Sequence, residues 1–301
     1  MSRPLLVAIL LLPLLGCATR PDREGMRDTA PGCVIPEAAA PAPVVEVPPL
    51  PWLSERSNAV AASIGALPAL HGLGTPVRGN EALRRLALRQ EVTERVLLAL
   101  LDVSSTLAMI DCEGERGDQL RTRLQAAESR RARQLGIASI GLGAATAVVT
   151  GGLSFVGNNA VAIAGITGGL AEASAGAALL LGGADGQLRH PRNLLREAWE
   201  RPARSTLFPA VVWRHLSRRD AGQELSELDA LVLSWRQDGL LGAEGTPAAA
   251  RREALLFGDG GRYDVSALEA RDAMLDLLEA RVALMSRDLR NLLLELRALP
   301  R

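Results

Sequence analysis

Lysine is absent from this 301-residue chain, and all 34 of its basic side chains are arginine. This absence excludes a Walker A phosphate loop, a Schiff-base lysine and a pyridoxal phosphate anchor, which all need a lysine amine. Three histidines, His71, His190 and His215, are too few for a histidine-rich metal site. The 34 acidic residues balance the arginines, which argues against a nucleic-acid-binding surface. We therefore predict no cofactor, no metal centre and no nucleic-acid partner.

Motifs of catalytic sites are absent or incomplete. Gly141-Leu142-Gly143 begins like a dinucleotide-binding fingerprint, but Thr146 stands where the third small residue belongs, and a charged helix precedes it. Residues 152–157 contain one residue too many for a nucleophile elbow. The sequence has no HExxH, no paired CxxC and no EF-hand loop. We predict a protein that is not an enzyme.

The abundant residues favour helices. The apolar fraction is 48% and consists mainly of alanine, leucine and valine, while aromatic residues make up only 3%. Such a composition suits close-packed helices better than a sheet. We predict an all-α fold, namely an elongated helical bundle or coiled coil that carries a glycine-rich apolar helical hairpin.

The N-terminus has the features of a cleaved targeting signal. Arg3 precedes an apolar run from Leu5 to Leu15, which is too short to span a bilayer as a helix. The run ends in Leu14-Leu15-Gly16-Cys17, which resembles the lipobox of bacterial lipoproteins. The resemblance implies cleavage before Cys17, a diacylglyceryl thioether on its sulfur and an acylated amine. In such lipoproteins an aspartate after the cysteine favours the inner membrane, and alanine stands here, so we expect an outer-membrane lipoprotein facing the periplasm, with surface exposure as the alternative.

A proline-rich segment follows the predicted lipid anchor. Eight of the 17 prolines lie between Pro21 and Pro51, so we predict an extended tether that reaches on the order of 100 Å from the membrane. The mature chain keeps two further cysteines, Cys33 and Cys112, which can pair in an oxidising periplasm. The alternative is that Cys112 is a buried apolar residue of a helix and Cys33 is a free thiol.

Apolar residues recur at steps of three and four from Glu81 to Leu135, which predicts helix. Gly114 and Gly117 lie on the apolar face; they either interrupt the helix or let another helix approach closely. We favour an interruption, because residues 113–118 are charged and rich in glycine.

The C-terminal segment, residues 265–299, has the clearest helical pattern. Asp264 or Ser266 can cap it, and Ser266 with Glu269 fits a capping box. Apolar residues repeat every seven positions, with Arg271 as the exception. They are Leu268, Leu275, Val282, Leu289 and Leu296 in one position and Leu278, Met285, Leu292 and Leu299 in the other. The expected partner is the helix at 81–112 of the same chain, and self-association is the alternative.

Shorter helices are predicted over residues 190–258, with breaks at Pro202, at Pro209 and from Gly239 to Pro247. Three tryptophans in this part belong either to the core or to a membrane-facing edge. The predicted divisions are a signal peptide at 1–16, a lipidated tether at 17–53, a helical segment at 54–135, the apolar hairpin at 136–184 and a second helical segment at 185–301.

The central stretch is unusually apolar. No charged residue occurs from Gln134 to Ala171, and Glu172 is the only one up to Ala184. Asn158 and Asn159 give a turn signal between arms at 137–156 and 160–181, each long enough to cross a hydrocarbon core of about 30 Å. We favour a membrane-inserted hairpin; the alternatives are a hairpin buried in a soluble helical core and a β-structured or disordered glycine-rich segment.

Twelve glycines lie between Gly136 and Gly183, and small residues follow one another at four-residue steps in both arms. They are Gly143, Ala147 and Gly151 in the first arm and Gly165, Gly169, Ala173 and Ala177 in the second. The layout resembles outer-membrane lipoproteins with a glycine-zipper hairpin, in spacing alone. Folding about the turn places Glu172 near Thr146, where a protonated carboxyl could hydrogen-bond to the hydroxyl.

Arginines flank both ends of the apolar stretch. Both ends of a hairpin emerge on one side of a membrane, so these arginines would meet the same anionic headgroups. The candidates for headgroup binding are Arg130, Arg131, Arg133, Arg189 and Arg192.

Two functions fit these features. The favoured one is a lipid-anchored scaffold or assembly component of an envelope or export machine, which binds membrane lipid and either further copies of itself or other envelope proteins. The alternative is an α-helical pore-forming or channel subunit.

Overall fold

The structure is a computed structural model that describes residues 26–27, 33, 47–74, 81–153, 183–219 and 224–299, the side chains at 26, 27, 81, 135 and 138–153 excepted. Helices make up most of these residues, as the all-α prediction requires. In chain order the elements are β1 (Met26–Arg27), α1 (Glu55–Ser63), α2 (Leu67–Gly74), α3 (Glu81–Leu153), β2 (Gly186–Arg189), α4 (Leu194–Glu200), α5 (Ala210–Ser217), α6 (Glu227–Gln237), α7 (Pro247–Phe257), β3 (Gly260–Tyr263) and α8 (Val265–Ala298).

Helices α3 and α8 pack against each other in antiparallel directions and form the largest contact between two elements. Arg271, near the start of α8, bonds to Glu113, whereas the carbonyl of Leu299 accepts from Arg89 near the start of α3. All heptad leucines, valines and methionines from Leu268 to Leu296 are buried, and Leu299 is half-buried. The expected partner within the same chain is thereby confirmed.

The predicted interruption at Gly114 and Gly117 is wrong, because α3 continues through both as one helix of 73 residues. A Cβ atom at Gly114 would lie 3.6 Å from Asp272 Oδ1, and one at Gly117 would lie 3.7 Å from Arg271 Nη1. The glycines therefore lie beneath the first turns of α8 and let it approach closely. Each costs a helix about 1 kcal/mol relative to alanine, which the packing against α8 offsets.

Arg271 interrupts the heptad pattern because it carries an ion pair inside the core. Its side chain is only 3% exposed, and its Nη2 donates to Glu113 Oε2 at 2.7 Å. Its Nη1 donates to the Glu113 carbonyl at 2.9 Å, and Arg116 Nη1 donates to Glu113 Oε1 at 2.8 Å. One buried carboxylate thus holds two guanidinium groups where α3 and α8 meet.

The N-cap of α8 is Asp264, whose side chain accepts from the backbone N–H of Ala267 at 2.7 Å. The capping box built on Ser266 does not form, since Ser266 lies in the first turn and its hydroxyl accepts from Arg252. The other boundaries agree with the proline and glycine signals: α5 begins after Pro209 and α7 begins at Pro247. Of the tryptophans, Trp213 and Trp235 are buried in the core.

A small sheet lies outside the all-α prediction. Strand β2 pairs in parallel with β1 and antiparallel with β3. The strands are only two to four residues long, so they carry no alternating apolar pattern that would reveal them. Gly260, at φ +104°, lies so close to the Leu188 carbonyl that a Cβ atom would be 2.2 Å away.

We predict that Glu113→Ala lowers the free energy of unfolding by about 3–5 kcal/mol, because it leaves two buried guanidinium groups without their counter-ion. Glu115→Ala, on the exposed face of the same helix, should cost less than about 1 kcal/mol. Urea denaturation of the three proteins measures both effects. Equal losses for the two variants would show that the buried ion pair contributes no more to the free energy of unfolding than an exposed glutamate does.

Candidate functional site

Helix α3 extends beyond the other described elements at its C-terminal end. Gly136 has no described atom within 4 Å of the position of a Cβ, and Ile137 is 71% exposed. The helix continues to Leu153, and at 1.5 Å per residue the part after Gly136 adds roughly 25 Å. This extension is the beginning of the uncharged stretch of the sequence.

The chain returns to α3 at Ala184. The backbone N–H of Ala184 donates to Glu128 Oε1 at 3.0 Å, and a Cβ atom at Gly183 would lie 3.7 Å from the same oxygen. We call this place, formed by Glu128, Gly183 and Ala184, the foot of the extension. In the sequence, the only signal of Glu128 is that it is the single carboxylate among five arginines.

From the foot, β2 runs back along α3. It begins just after Ala184, and its last residue, Arg189, offers its carbonyl to Arg116 Nη2 at 2.7 Å. The helix between Arg116 and Glu128 is about 18 Å long, which the extended chain from Ala184 to Arg189 can match. The strand therefore lies beside α3 and runs in the opposite direction.

Strand β1 brings the N-terminal part of the chain to the same place. Met26 pairs with Gly186, next to the foot, and Arg27 pairs with Gln187. A disulfide between Cys33 and Cys112, with the Cα atoms 5.9 Å apart, attaches the N-terminal part of the chain to α3 a second time, on the N-terminal side of Glu128. The structure thus contains the first of the two alternatives that the sequence left open for these cysteines.

These two attachments correct the expectation of a spacer that reaches on the order of 100 Å. Cys17 itself lies outside the described residues, but it precedes Met26 by only a short segment. An extended chain covers at most about 3.6 Å per residue, so Cys17 lies within roughly 40 Å of the start of β2. The described chain that leads towards the predicted lipid anchor therefore starts beside the foot.

The structure separates the arginines that were predicted to meet headgroups. Arg130, Arg131 and Arg133 lie on α3 between the foot and the extension, and Arg130 and Arg133 are exposed. Arg189 and Arg192 instead lie at the far end of β2, near Arg116, about 20 Å from Arg130 along α3. Of the five candidates, only Arg130, Arg131 and Arg133 lie beside the foot.

Most hairpin residues cannot be located by their side chains. The backbone of Gly143, Thr146, Ala147 and Gly151 is helical within α3, while their side chains are not described. The second arm, with Gly165, Gly169, Glu172, Ala173 and Ala177, lies outside the described residues. In the part of the chain that the structure describes, no helix combines the length and the apolar character needed to cross a membrane.

A buried polar pair lies where β2 and β3 meet α8. The hydroxyl of Tyr263 donates to the Leu255 carbonyl at 2.9 Å, so it accepts from His190 Nε2 at 2.7 Å. His190 Nδ1 is buried without a hydrogen-bond partner among the described atoms. Burial, and then the positive charge of Arg271, lower the pKa of His190 to about 3. The neutral imidazole is held in the core.

Among the described residues, no group of three or more potential metal ligands comes together. Comparison with protein-family models, with curated proteins and with solved structures gives no match to this chain.

We predict that the free energy of unfolding falls as the pH decreases from 6.5 towards 3, in part because of His190. Its folded-state pKa of about 3 lies below the ordinary value of 6.5, so the unfolded chain takes up a proton that the folded protein does not. The slope from one such group is at most about 1.4 kcal/mol per pH unit.

Replacing the side chain by an amide removes this contribution while a donor to Tyr263 remains. Between pH 7.5 and 4.5, His190→Gln should therefore lose roughly 2 kcal/mol less stability than the unaltered protein. Urea midpoints at the two pH values measure the difference. Identical losses in both proteins would show that His190 is not kept neutral by its surroundings.

Proposed function

We propose that this protein is a non-enzymatic lipoprotein of the bacterial envelope that holds a helical body against a membrane by two attachments. The first is the lipid on Cys17, and the second is a glycine-rich hairpin that begins with the extension of α3. The observation that carries the proposal is the shared position of their attachment points, because β1 and Ala184 both join the body at the foot.

Chain length supports the hairpin. From Glu128 to Leu153 the helix covers about 38 Å, at 1.5 Å per residue. Residues 154–182 must cover the same distance in return, since Ala184 is bonded to Glu128. This segment is long enough for a returning helix of roughly 25 residues and a short turn. It therefore accommodates the arrangement with arms at 137–156 and 160–181.

Charge supports the direction of insertion. Arg130, Arg131 and Arg133 form a positive collar between the foot and the uncharged extension, at the depth where anionic headgroups would lie. Glycine is tolerated in helices within lipid, where small residues let helices pack closely. In water the same glycines would cost a helix about 1 kcal/mol each.

The body then offers a rigid scaffold beside the bilayer. The ion pairs of Glu113, the disulfide and the α3–α8 contact join its elements into one unit. We propose that this unit takes part in assembling an envelope or export machine of the outer membrane, through contacts with other envelope proteins or further copies of the chain.

Membrane attachment is tested by removing each anchor separately. A conventional cleaved secretory signal in place of residues 1–17 removes the lipid, and Val148→Arg together with Val149→Arg makes the first arm costly to insert. We expect either change alone to leave the protein in the carbonate-washed membrane fraction, and both together to release it. Leu233→Arg, at an exposed site on α6, is the control for the added charge.

Three outcomes would contradict the proposal or favour its alternative. If the unaltered protein takes up no labelled fatty acid, Cys17 carries no lipid. If the signal exchange alone releases the protein completely, the hairpin does not attach it to the membrane. Cation conductance across planar bilayers that changes with Glu172→Gln would favour the pore-forming alternative over a scaffold.

A further inference from the structure

The outer face of α3 is apolar near the N-terminal end of the helix. Five leucines there are between 55% and 75% exposed, and we call them the leucine face. They are Leu83, Leu86, Leu97, Leu98 and Leu101. The opposite side of the same turns carries Val92, Val96 and Val103 into the core. An exposed apolar surface of this extent marks a contact site rather than a solvated helix face.

The positions of these leucines are symmetric about the level of Val92. Leu83 and Leu101 lie nine residues before and after it, and Leu86 and Leu98 lie six residues before and after it. When two identical helices pair in antiparallel directions across a two-fold axis, each residue meets the one that lies equally far on the other side of the axis. With the axis at the level of Val92, Leu83 of one copy meets Leu101 of the other, and Leu86 meets Leu98. The leucine face therefore complements itself.

We propose that two copies of the protein pair through the leucine face with their α3 helices antiparallel. The polar residues at its centre select this direction. Glu94 is the only charged residue on this face between Leu83 and Leu101, and in the antiparallel pair it lies beside Gln90 of the other copy. The Gln90 amide donates one N–H to Glu94 of its own chain at 2.8 Å, and its second N–H can donate to the other copy. Parallel helices in register would instead place the two Glu94 carboxylates against each other.

Charges beside the leucine face complement each other in the same arrangement. Arg84 and Asp102 are separated by 18 residues, which is five turns of helix, so they project to the same side of the face. In the antiparallel pair, Arg84 of each copy lies opposite Asp102 of the other. Burial raises the pKa of Asp102, and no cation in the described part of the chain offsets this effect. The other copy supplies the missing positive charge.

The available area is sufficient for a dimer. Five leucines that are more than half exposed offer on the order of 500 Å² of apolar surface per copy. Two copies together reach the roughly 1,000 Å² that a specific interface between proteins needs. The five side chains lie within about 27 Å along one helix, so a single straight contact covers all of them.

Pairing in this way sends the two feet in opposite directions. Glu128 lies about 54 Å along α3 from the level of Val92, so the feet of the two copies lie roughly 110 Å apart. One consequence rests on the proposed function. Where each foot meets a bilayer, the second copy belongs to a facing bilayer, and the dimer joins two membranes.

A charge exchange tests the pairing without a membrane. Arg84→Glu puts a second carboxylate opposite Asp102 and should raise the dissociation constant of the full lipidated protein in detergent about tenfold. Arg84→Glu with Asp102→Arg should restore the constant, although the two positions lie about 27 Å apart within one chain. Arg84→Glu with Asp238→Arg, at the C-cap of α6, restores only the net charge and should leave the pairing weak. Sedimentation equilibrium measures all four proteins, and a monomeric unaltered protein or four equal constants would overturn the proposal.

Crosslinking tests the direction of the helices. Leu83→Cys and Leu101→Cys are prepared as separate proteins and treated with a short bis-maleimide, which leaves the Cys33–Cys112 disulfide intact. We expect a crosslinked dimer when the two variants are mixed and none from either variant alone. Crosslinking of each variant with itself would show parallel helices, and the absence of a crosslink in every sample would contradict the contact.

Liposomes test the joining of two membranes. Two populations of liposomes that carry the full protein should cluster, and Leu97→Asp with Leu101→Asp should abolish clustering, because pairing would bury carboxylates without partners. Leu233→Asp, at an exposed leucine of α6, is the matched control and should cluster normally. Flotation of the liposomes measures membrane attachment separately, so a failure of the proposed function is distinguished from a failure of pairing. Liposomes that carry attached, dimeric protein and stay dispersed would overturn the joining of two membranes.

Discussion

The continuity of α3 through Gly114 and Gly117 determines where every other described element lies. Because α3 is a single helix of 73 residues, the position of each residue along it follows from its number, at about 1.5 Å per residue. α8 lies along α3 from Gly117 back to Arg89, the disulfide lies at Cys112, the last residue of β2 lies at Arg116, and the foot lies at Glu128. If the helix were broken at the two glycines, the foot and the body would have no fixed relation to each other.

The glycines alone would weaken the helix; the packing of α8 over them offsets that cost, and the Glu113–Arg271 ion pair fixes the position of α8. Arg271 reaches both the carboxylate and the carbonyl of Glu113, in the turn just before Gly114. A buried pair of this kind adds little net stability compared with apolar packing, but it fixes the register of two helices strongly. The close approach that the glycines allow brings the arginine to its partner.

The sequence was sufficient for the features that follow from periodicity and from the local chemistry of turns. Heptad residues of α8, its partner within the chain and the boundaries at Pro209 and Pro247 all follow from such patterns. The continuity of α3 does not, because two glycines among charged residues read as an interruption until the helix packed over them is known. The sequence left Asp264 and Ser266 as the two candidate N-caps of α8. In the structure Asp264 caps the helix, and the Ser266 hydroxyl instead accepts from Arg252 of α7.

Long-range pairings were beyond the sequence. β1 and β2 are far apart in the chain and too short for a strand pattern, yet their pairing brings the N-terminal part to the foot. When this pairing is unknown, the proline-rich segment suggests a long spacer. Arg189 and Arg192 then look like headgroup-binding candidates equal to the arginines of α3. The site was therefore predictable in its residue types and not in its geometry.

The account requires one end of the molecule to face the bilayer, and Ala132 and Ala87 give a direct measurement of this. Both are exposed on α3, and the helix between them is roughly 67 Å long. Each is replaced by cysteine, labelled with a fluorophore and studied in the lipidated protein, reconstituted in liposomes whose headgroups carry a quencher. The account predicts strong quenching at position 132 and almost none at position 87; equal quenching at both, or the reverse order, would contradict it.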